Sequence, residues 1–245
     1  MKLANFVNNP RAYVNKAKDF LLNKRRVVLH AGDNVQCDIC NWKGTQFFEG
    51  KCPKCRSLQR TRLMPFALEY FNLIQNPKRV LHIAPNLNEN TYMAKNLQKG
   101  STYDRLNIRP VKHINIVQDI THTNLLSENY DLVVAWHVLE HIVQDVRAIE
   151  EVYRLLKTGG HFLVSVPIYP LKSPHTFEDS EIPSKDFEKV HGHHDHCRSC
   201  GLDYYLRFEK VGFKTQELKV QNLPPSDIEK FGLFEDHVVW CFQKS

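Results

Sequence analysis

The 245-residue sequence contains no apolar run of about 18 residues, the shortest length that would cross a membrane as a helix. Near its start it shows no apolar segment followed by a small-residue cleavage site, so we expect no secretory signal. Its charge excess is only +6 and is not gathered into one tract. These absences predict a cytoplasmic protein without a membrane span. The small positive charge is compatible with binding of nucleic acid or of a phosphorylated substrate and favours neither. The sequence leaves the oligomeric state open.

Glycine is also scarce, with ten in the whole chain. Residues 79–84 predict a strand, and the loop that follows, read through residue 88, contains no glycine. A loop that cradles a nucleotide normally needs glycine, because its backbone must approach the ligand closely. On spacing alone, this loop would not be counted as a nucleotide site.

Cysteine, in contrast, is concentrated early in the chain. Two C-x-x-C pairs are separated by eleven residues, which is the spacing of a four-thiolate zinc site of the ribbon type. Four thiolates leave no open coordination position, so the zinc would be structural, and disulfides are the poorer alternative in a cytoplasmic chain. The predicted ligands are Cys37, Cys40, Cys52 and Cys55.

Residues 130–167 predict a strand, a helix and a second strand. Residues 131–136 form an apolar run typical of a strand covered on both faces. Apolar residues then recur at intervals of three and four up to Leu156, which is the stripe of an amphipathic helix, and Gly159-Gly160 would end that helix. With the strand at 161–166, this is a right-handed βαβ unit of a parallel sheet.

Ligands of such sheets bind beyond the carboxyl ends of the strands. The first strand of the unit ends in Trp136, and His137, Glu140 and His141 follow at once. Each of these alone could be a loop cap or a solvated side chain. Their clustering after a buried strand favours a functional site.

The segment YDLVVAWHVLEHI…AIEEVYRLLKTGGHFLVSVP resembles class I S-adenosylmethionine-dependent methyltransferases, in which LEH follows the fourth strand and L-K-x-G-G precedes the fifth. VLHIAP after CPKCRSLQRTRL is similar to a bacterial-type subgroup with an N-terminal cysteine segment. The resemblance implies a Rossmann-like three-layer α/β sandwich with a mainly parallel seven-stranded sheet, preceded by the zinc ribbon. Together with the helical pattern of the first thirty residues, it predicts an N-terminal helical segment at 1–30, the ribbon at 31–60 and the methyltransferase domain at 61–245.

The resemblance also implies S-adenosylmethionine as cofactor and indicates which residues contact it. Asn86 stands where the subgroup usually carries Glu, and Asn107 stands where a carboxylate usually meets the ribose. Asp119 would lie by the adenine amino group, although an N-cap or an Asx turn is its alternative role. The implied cofactor set is His82, Ala84, Pro85, Asn86, Asn107, Asp119, Ile120, Trp136 and His137.

The subgroup's D-H-x-R-x-x-G stretch matches this chain at residues 195–201. It implies that Asp195 and His196 face the methyl donor and that Arg198 contacts substrate or phosphate. We expect His196, oriented by Asp195, to be the first candidate for the general base, and His137 the next. The candidate catalytic set is His137, Glu140, His141, Asp195 and His196. Four imidazoles and two thiols at 191–200 also leave open a second metal site.

We therefore expect methyl transfer to an oxygen nucleophile, with a small-molecule or glycan hydroxyl as acceptor. One alternative is an RNA methyltransferase that uses the ribbon with Arg56, Arg60 and Arg62 to hold phosphates. Another is a non-catalytic binding module that kept the fold. For the cationic segment 1–30, the thin stripe around Phe20 and Leu21 predicts a helix packed on its own domain, rather than a membrane-surface or partner helix.

Overall fold

The computed structural model describes residues 10–245. The helices are α1 (Pro10–Leu29), α2 (Gln59–Tyr70), α3 (Leu87–Asn96), α4 (Asp145–Leu155), α5 (Phe187–His191), α6 (Leu206–Val211) and α7 (Pro225–Phe231). The strands are β1 (Ala31–Cys37), β2 (Trp42–Gly44), β3 (Arg79–Ile83), β4 (Thr102–Asn107), β5 (Ile116–Val117), β6 (Tyr130–Trp136), β7 (Leu156–Ser165), β8 (Phe213–Lys219) and β9 (Val238–Lys244). No helix among the described residues is both long and apolar enough to cross a membrane.

Seven strands form the main sheet in the order β5-β4-β3-β6-β7-β9-β8. The pairs from β5 to β7 are parallel, and β9 pairs antiparallel with both β7 and β8. The predicted α/β sandwich with a mainly parallel seven-stranded sheet is confirmed. Two apolar cores cover its two faces, since alternate residues of one strand, such as Val133 and Val134, belong to different cores.

The βαβ unit forms as predicted, but the helix ends without the two glycines. α4 ends at Leu155, and β7 starts at the next residue. Gly159, with φ of +79°, lies inside the irregular start of β7, where the pairing jumps from Tyr130–Leu156 to Leu132–His161. The glycine therefore bends a strand rather than capping a helix.

The cysteine hairpin, residues 31–57, consists of the antiparallel strands β1 and β2 and the turn after them that carries Cys52 and Cys55, and its core is shared with the main domain. Ile39 and Trp42 are buried in the same cluster as Leu63 and Leu68 of α2. Arg62, 1% exposed, donates from Nε to the carbonyl of Phe231 at 2.8 Å and from the guanidinium to those of Gly232 and Ser57. This buried cation joins the hairpin to α7. Arg62 is therefore not available to hold phosphate, as the RNA alternative required.

The N-terminal helix follows the prediction only in part, and residues 1–9 lie outside the described residues. The carbonyl of Val27, near the end of α1, accepts a hydrogen bond from Trp42 of the hairpin at 3.2 Å. Phe20 and Leu21 are 59% and 61% exposed. The predicted packing of that stripe on the domain is therefore wrong for these two residues.

Candidate active site

A cavity of about 730 Å³ opens at the carboxyl ends of β3, β4 and β6. Its volume falls within the range of about 300–1,000 Å³ typical of small-molecule pockets. Ile83 and Leu106 supply apolar wall, and the turns after β4, β5 and β6 supply polar groups. The cavity lies where open α/β sheets bind ligands, at the edge that the sequence predicted.

Five of the nine predicted cofactor residues line this cavity: Ala84, Asn107, Asp119, Ile120 and His137. The other four do not. His82 is fully buried and pairs with the Tyr103 hydroxyl at 3.0 Å, and the Trp136 indole donates to the carbonyl of Arg60 at 2.8 Å. The carbonyl of Pro85 is bound by the ring of His113 at 2.7 Å.

Asn86, the last of the predicted cofactor residues that do not line the cavity, has a structural role instead. It is the N-cap of α3, and its Oδ1 accepts hydrogen bonds from the backbone of Asn88 and Glu89 at 2.9 and 3.1 Å. Glu89 accepts in return from the backbone N–H of Asn86 at 3.0 Å, which completes a capping box. This role was not predicted, although Asn followed three residues later by Glu is the sequence signal for it. Burial raises the pKa of Glu89 to about 7.

Ala84 takes the place of a loop glycine. Its φ is +48°, in the left-handed region that favours glycine, and its N–H donates to the carbonyl of Leu106 at 2.6 Å. The backbone thus adopts at an alanine the turn that a glycine normally provides.

The polar residues after β4 and β5 have their own anchors. Asn107 Oδ1 accepts from the backbone of Arg109 at 3.0 Å, and Asp119 Oδ1 accepts from the backbone and the hydroxyl of Thr121, both at 2.9 Å. The Asx turn considered for Asp119 therefore exists, and it uses only one carboxylate oxygen. Arg109 and Gln118 also line the cavity. Neither residue was predicted from the sequence, although both lie within two residues of predicted site residues.

His137 and Glu140 form a buried pair at the end of β6. His137 has a φ of +55°, its backbone N–H donates to Ser165 of β7 at 2.8 Å, and its side chain is 7% exposed. His137 Nδ1 lies 3.5 Å from Oε1 of Glu140, which is 1% exposed. Burial alone would raise the pKa of Glu140, but the contacts with His137 and the charge of His141 outweigh it and hold that pKa below its usual value.

The remaining catalytic candidates gather at the rim. His141 and Asp195 line the cavity, with His141 Nδ1 3.3 Å from Asp195 Oδ1. The ring of His196 lies 4.8 Å from that of His141 but does not line the cavity. Burial lowers the pKa of His196 to about 4, so its ring is neutral at neutral pH.

Arg198 is a buried structural residue and not a substrate contact. It is 2% exposed, and its guanidinium donates to the carbonyls of Leu139 and Ile142, each at 2.7 Å, and of Val143 at 3.0 Å. It therefore holds the turn that carries Glu140 and His141. The position of Arg198 in the sequence motif did not indicate this structural role.

The four early cysteines are close enough to share one ion. Their sulfur atoms all lie within 4.8 Å of one another, with Cys37–Cys55 at 3.6 Å and Cys40–Cys52 at 3.7 Å. Sulfur ligands at about 2.3 Å in a tetrahedron stand about 3.8 Å apart, so the set fits zinc. Cys197 and Cys200 belong to no comparable group among the residues that the structure describes.

Part of the chain matches a family of known proteins, and several solved structures have a similar fold. Residues 82–164 match the family described as a methyltransferase domain. No curated protein sequence matches the chain. Solved structures with a similar fold include 1,6-didemethyltoxoflavin-N1-methyltransferase of Burkholderia thailandensis, with bound S-adenosylhomocysteine (TM-score 0.52, 13% identity, 76% of this chain and 78% of that chain). Another is an S-adenosylmethionine-dependent methyltransferase of Archaeoglobus fulgidus (TM-score 0.52, 16% identity, 76% and 94%).

The fold, the cavity at its strand ends and the family match agree. Residues 82–164 resemble the methyltransferase-domain family, and the chain shares its fold with S-adenosylmethionine-dependent methyltransferases of known structure.

Proposed function

We propose that the protein transfers a methyl group from S-adenosylmethionine to an oxygen nucleophile, with a small-molecule or glycan hydroxyl as acceptor. The observation that carries this proposal is the pair of His137 and Glu140. A nearly buried imidazole lines the cavity, next to a fully buried carboxylate. A hydroxyl acceptor must lose a proton during transfer, and such a pair can remove it.

On the donor side, Asp119 would accept from the adenine amino group with the oxygen that the Asx turn leaves free. Asn107 would donate to the ribose hydroxyls from its side-chain NH₂ group, because its Oδ1 already accepts a hydrogen bond from the backbone of Arg109. Neutral Asn in place of a carboxylate keeps hydrogen bonding and loses charge assistance. Ala84 contributes backbone close to the ligand in place of a glycine.

On the acceptor side, the acceptor oxygen attacks the methyl carbon as the sulfonium leaves, and His137 takes the acceptor's proton. Neither ring nitrogen of His137 has a hydrogen-bond partner among the described residues. Glu140 would stabilise the imidazolium that forms. We place His137 ahead of His196 as the base, which reverses the order expected from the sequence, because His196 does not line the cavity.

The cysteine hairpin would hold structural zinc. It supplies four thiolates and no open position, so the ion would stabilise the hairpin on α2 and take no part in the reaction. The RNA alternative loses Arg62, which is buried, and keeps only the exposed Arg56 and Arg60. Its test is the salt dependence of RNA binding, which should be steep for that alternative and absent for a neutral glycan.

The deciding experiment is isothermal titration of the full chain with S-adenosylhomocysteine. We expect micromolar binding that Asp119→Ala abolishes. Asp179→Ala is the matched control, because Asp179 also forms an Asx turn, with Glu181 at 2.9 Å, but lies in an exposed loop outside the cavity. If the wild-type protein binds no ligand at millimolar concentration, the proposal fails and the non-catalytic alternative stands.

A further inference from the structure

Where the turn 139–141 meets the loop 193–196, an imidazole nitrogen faces a carboxylate. His141 Nδ1 lies 3.1 Å from the backbone carbonyl of Asp195. A carbonyl can only accept, so Nδ1 carries the hydrogen, and in a neutral ring Nε2 then has the lone pair. That Nε2 lies 3.8 Å from Glu140 Oε1. In a neutral ring this contact would bring two electron-rich atoms together, so it is favourable either with a proton on Nε2, which gives His141 its charge, or with a bound cation beside both atoms.

Glu140 supplies a second sign of an incomplete site. It is 1% exposed, and its Oε2 has no hydrogen-bond partner in the described part of the chain. A buried carboxylate oxygen without a partner is costly, and native structures rarely leave one. An ion held by both carboxylate oxygens would give Oε2 a partner as well as Oε1.

A third potential ligand completes the set. Glu140, His141 and His196 each offer an atom, and these atoms all lie within 4.8 Å of one another. Ligands at about 2.1 Å from a tetrahedral ion stand about 3.4 Å apart, so the side chains would have to approach one another by up to about 1.4 Å. The rings of His196 and His141 lie edge to face, with their centroids 4.8 Å apart.

We propose that Glu140, His141 and His196 bind a divalent first-row transition metal of the zinc class at the rim of the cavity. Imidazole nitrogen with one carboxylate suits such ions, whereas Mg²⁺ prefers oxygen ligands. Asp195 would act behind His141, as carboxylates and carbonyls commonly do for metal-bound histidine. This site is separate from the four cysteines.

The ion would have a role if the proposed function holds. Three protein ligands leave a coordination position open, and His141 lines the cavity, so that position would face the acceptor. A hydroxyl bound there would lose its proton more readily, and His137 would accept it. The metal site itself does not depend on this role.

A neighbouring set shares one member with the proposed site. His193, Asp195 and His196 also come within 4.8 Å of one another. Their side chains are more exposed, and His193 Nδ1 already contacts Asp195. We favour the set with Glu140 because it has the buried oxygen without a partner and an edge on the cavity.

The test is the zinc content of the full chain after loading with Zn²⁺ and desalting, measured by mass spectrometry. The wild type should hold one ion more than His141→Ala and His196→Ala, and also one more than Cys40→Ser, which loses the hairpin ion. His194→Ala is the matched control, since His194 lies in the same loop and in neither set, and it should keep the wild-type content. Asp195→Ala should weaken zinc binding by about tenfold.

Cobalt substitution identifies the ligands without reference to activity. In Cys40→Ser protein, bound Co²⁺ should give a spectrum of nitrogen and oxygen ligation, which His196→Ala removes. Glu140→Gln, which keeps the size of the side chain, should also remove it. Equal zinc content in wild type and His141→Ala would overturn the proposal and leave a proton between His141 and Glu140. Loss of the ion in His193→Ala but not in His141→Ala would also overturn it. If methyl transfer is never found, these results still decide the metal site.

Discussion

Two residues at the carboxyl ends of the central strands have backbone conformations that are costly for their type. Ala84 has a φ of +48° and His137 a φ of +55°. The left-handed region costs a residue with a Cβ about 1–2 kcal/mol, and such residues cluster at functional sites. Both line the same cavity, whereas the other non-glycine residues with a positive φ in the described part of the chain lie outside it.

Replacing Ala84 with glycine should stabilise the protein. Glycine removes the steric cost at φ +48° but adds backbone entropy to the unfolded chain, so we expect a net gain of about 0.5–1 kcal/mol in the free energy of unfolding. Urea unfolding measures it. Ala148→Gly in the interior of α4 is the control and should be destabilising. A loss of stability in Ala84→Gly would show that its methyl group packs better than we infer.

His137→Ala should lower kcat for methyl transfer by about 10²–10⁴-fold, because it removes the proposed base. Transfer of labelled methyl from S-adenosylmethionine to sugar hydroxyls measures it, and the affinity for S-adenosylhomocysteine should change little. His175→Ala, whose side chain is 84% exposed, should behave as wild type. If His137→Ala kept the wild-type kcat, another residue would have to be the general base.

Much of the arrangement of elements was predictable, because it follows from local patterns. The buried runs of β6 and β7 and the amphipathic stripe of α4 each carry their own signal in consecutive residues. The side of the sheet to which Trp136 points has no such local signal, because it depends on the pairing of β6 with its neighbours. Arg198 shows the same limit, because its carbonyl partners at 139–143 are more than fifty residues away.

The candidate site divides in the same way. The cysteine pairs were recognisable by spacing, and the strand-end cluster after β6 by position. Asn86 was assigned to the cofactor by resemblance, whereas the structure uses its side chain in the capping box with Glu89. The contacts among His141, Asp195 and His196 could not be read from the sequence, because they need the loop at 195 to fold back on the turn at 141.

At the scale of elements, the hairpin at 31–57 should depend on zinc. Cys40→Ser should reduce bound zinc and make that segment sensitive to limited proteolysis. A ligand at a thousand times its dissociation constant contributes about 4 kcal/mol, so a tightly bound ion should stabilise the folded chain by at least that much. The loss should extend beyond the hairpin, because Ile39 and Trp42 share a core with α2.

Cys197→Ser is the matched control for Cys40→Ser. Cys197 is also half-buried, but its thiol contacts the carbonyl of Glu140 at 3.3 Å and no other cysteine. Its zinc content and protease pattern should match the wild type. Equal stability of Cys40→Ser and wild type would mean that packing alone holds the hairpin.

At the scale of the whole molecule, buried titratable groups on the main sheet and its flanking segments set the response to acid. Burial lowers the pKa values of His82 and His237, each to about 3, and nearby positive charge adds to the effect. Below their ordinary value of about 6.5 the unfolded chain binds protons that the folded chain refuses, so this stability is lost as pH falls from about 6.5 toward 3. Glu89 acts in the opposite direction: its raised pKa of about 7 lets the folded chain hold a proton that the unfolded chain releases above about 4.5.

His196, whose pKa burial lowers to about 4, acts in the same direction as His82 and His237. Between pH 5 and 6 the three histidines outweigh the one glutamate by roughly two protons, or about 2.7 kcal/mol per pH unit, so the free energy of unfolding should rise with pH. His82→Gln should remove about half of this slope, and Glu89→Gln should steepen it by about half. Urea unfolding at a series of pH values measures all three slopes, and exposed His175→Ala should keep the wild-type slope. A steeper slope in His82→Gln, or a flatter one in Glu89→Gln, would contradict the assignment, because the sign of each change follows from which state binds the proton.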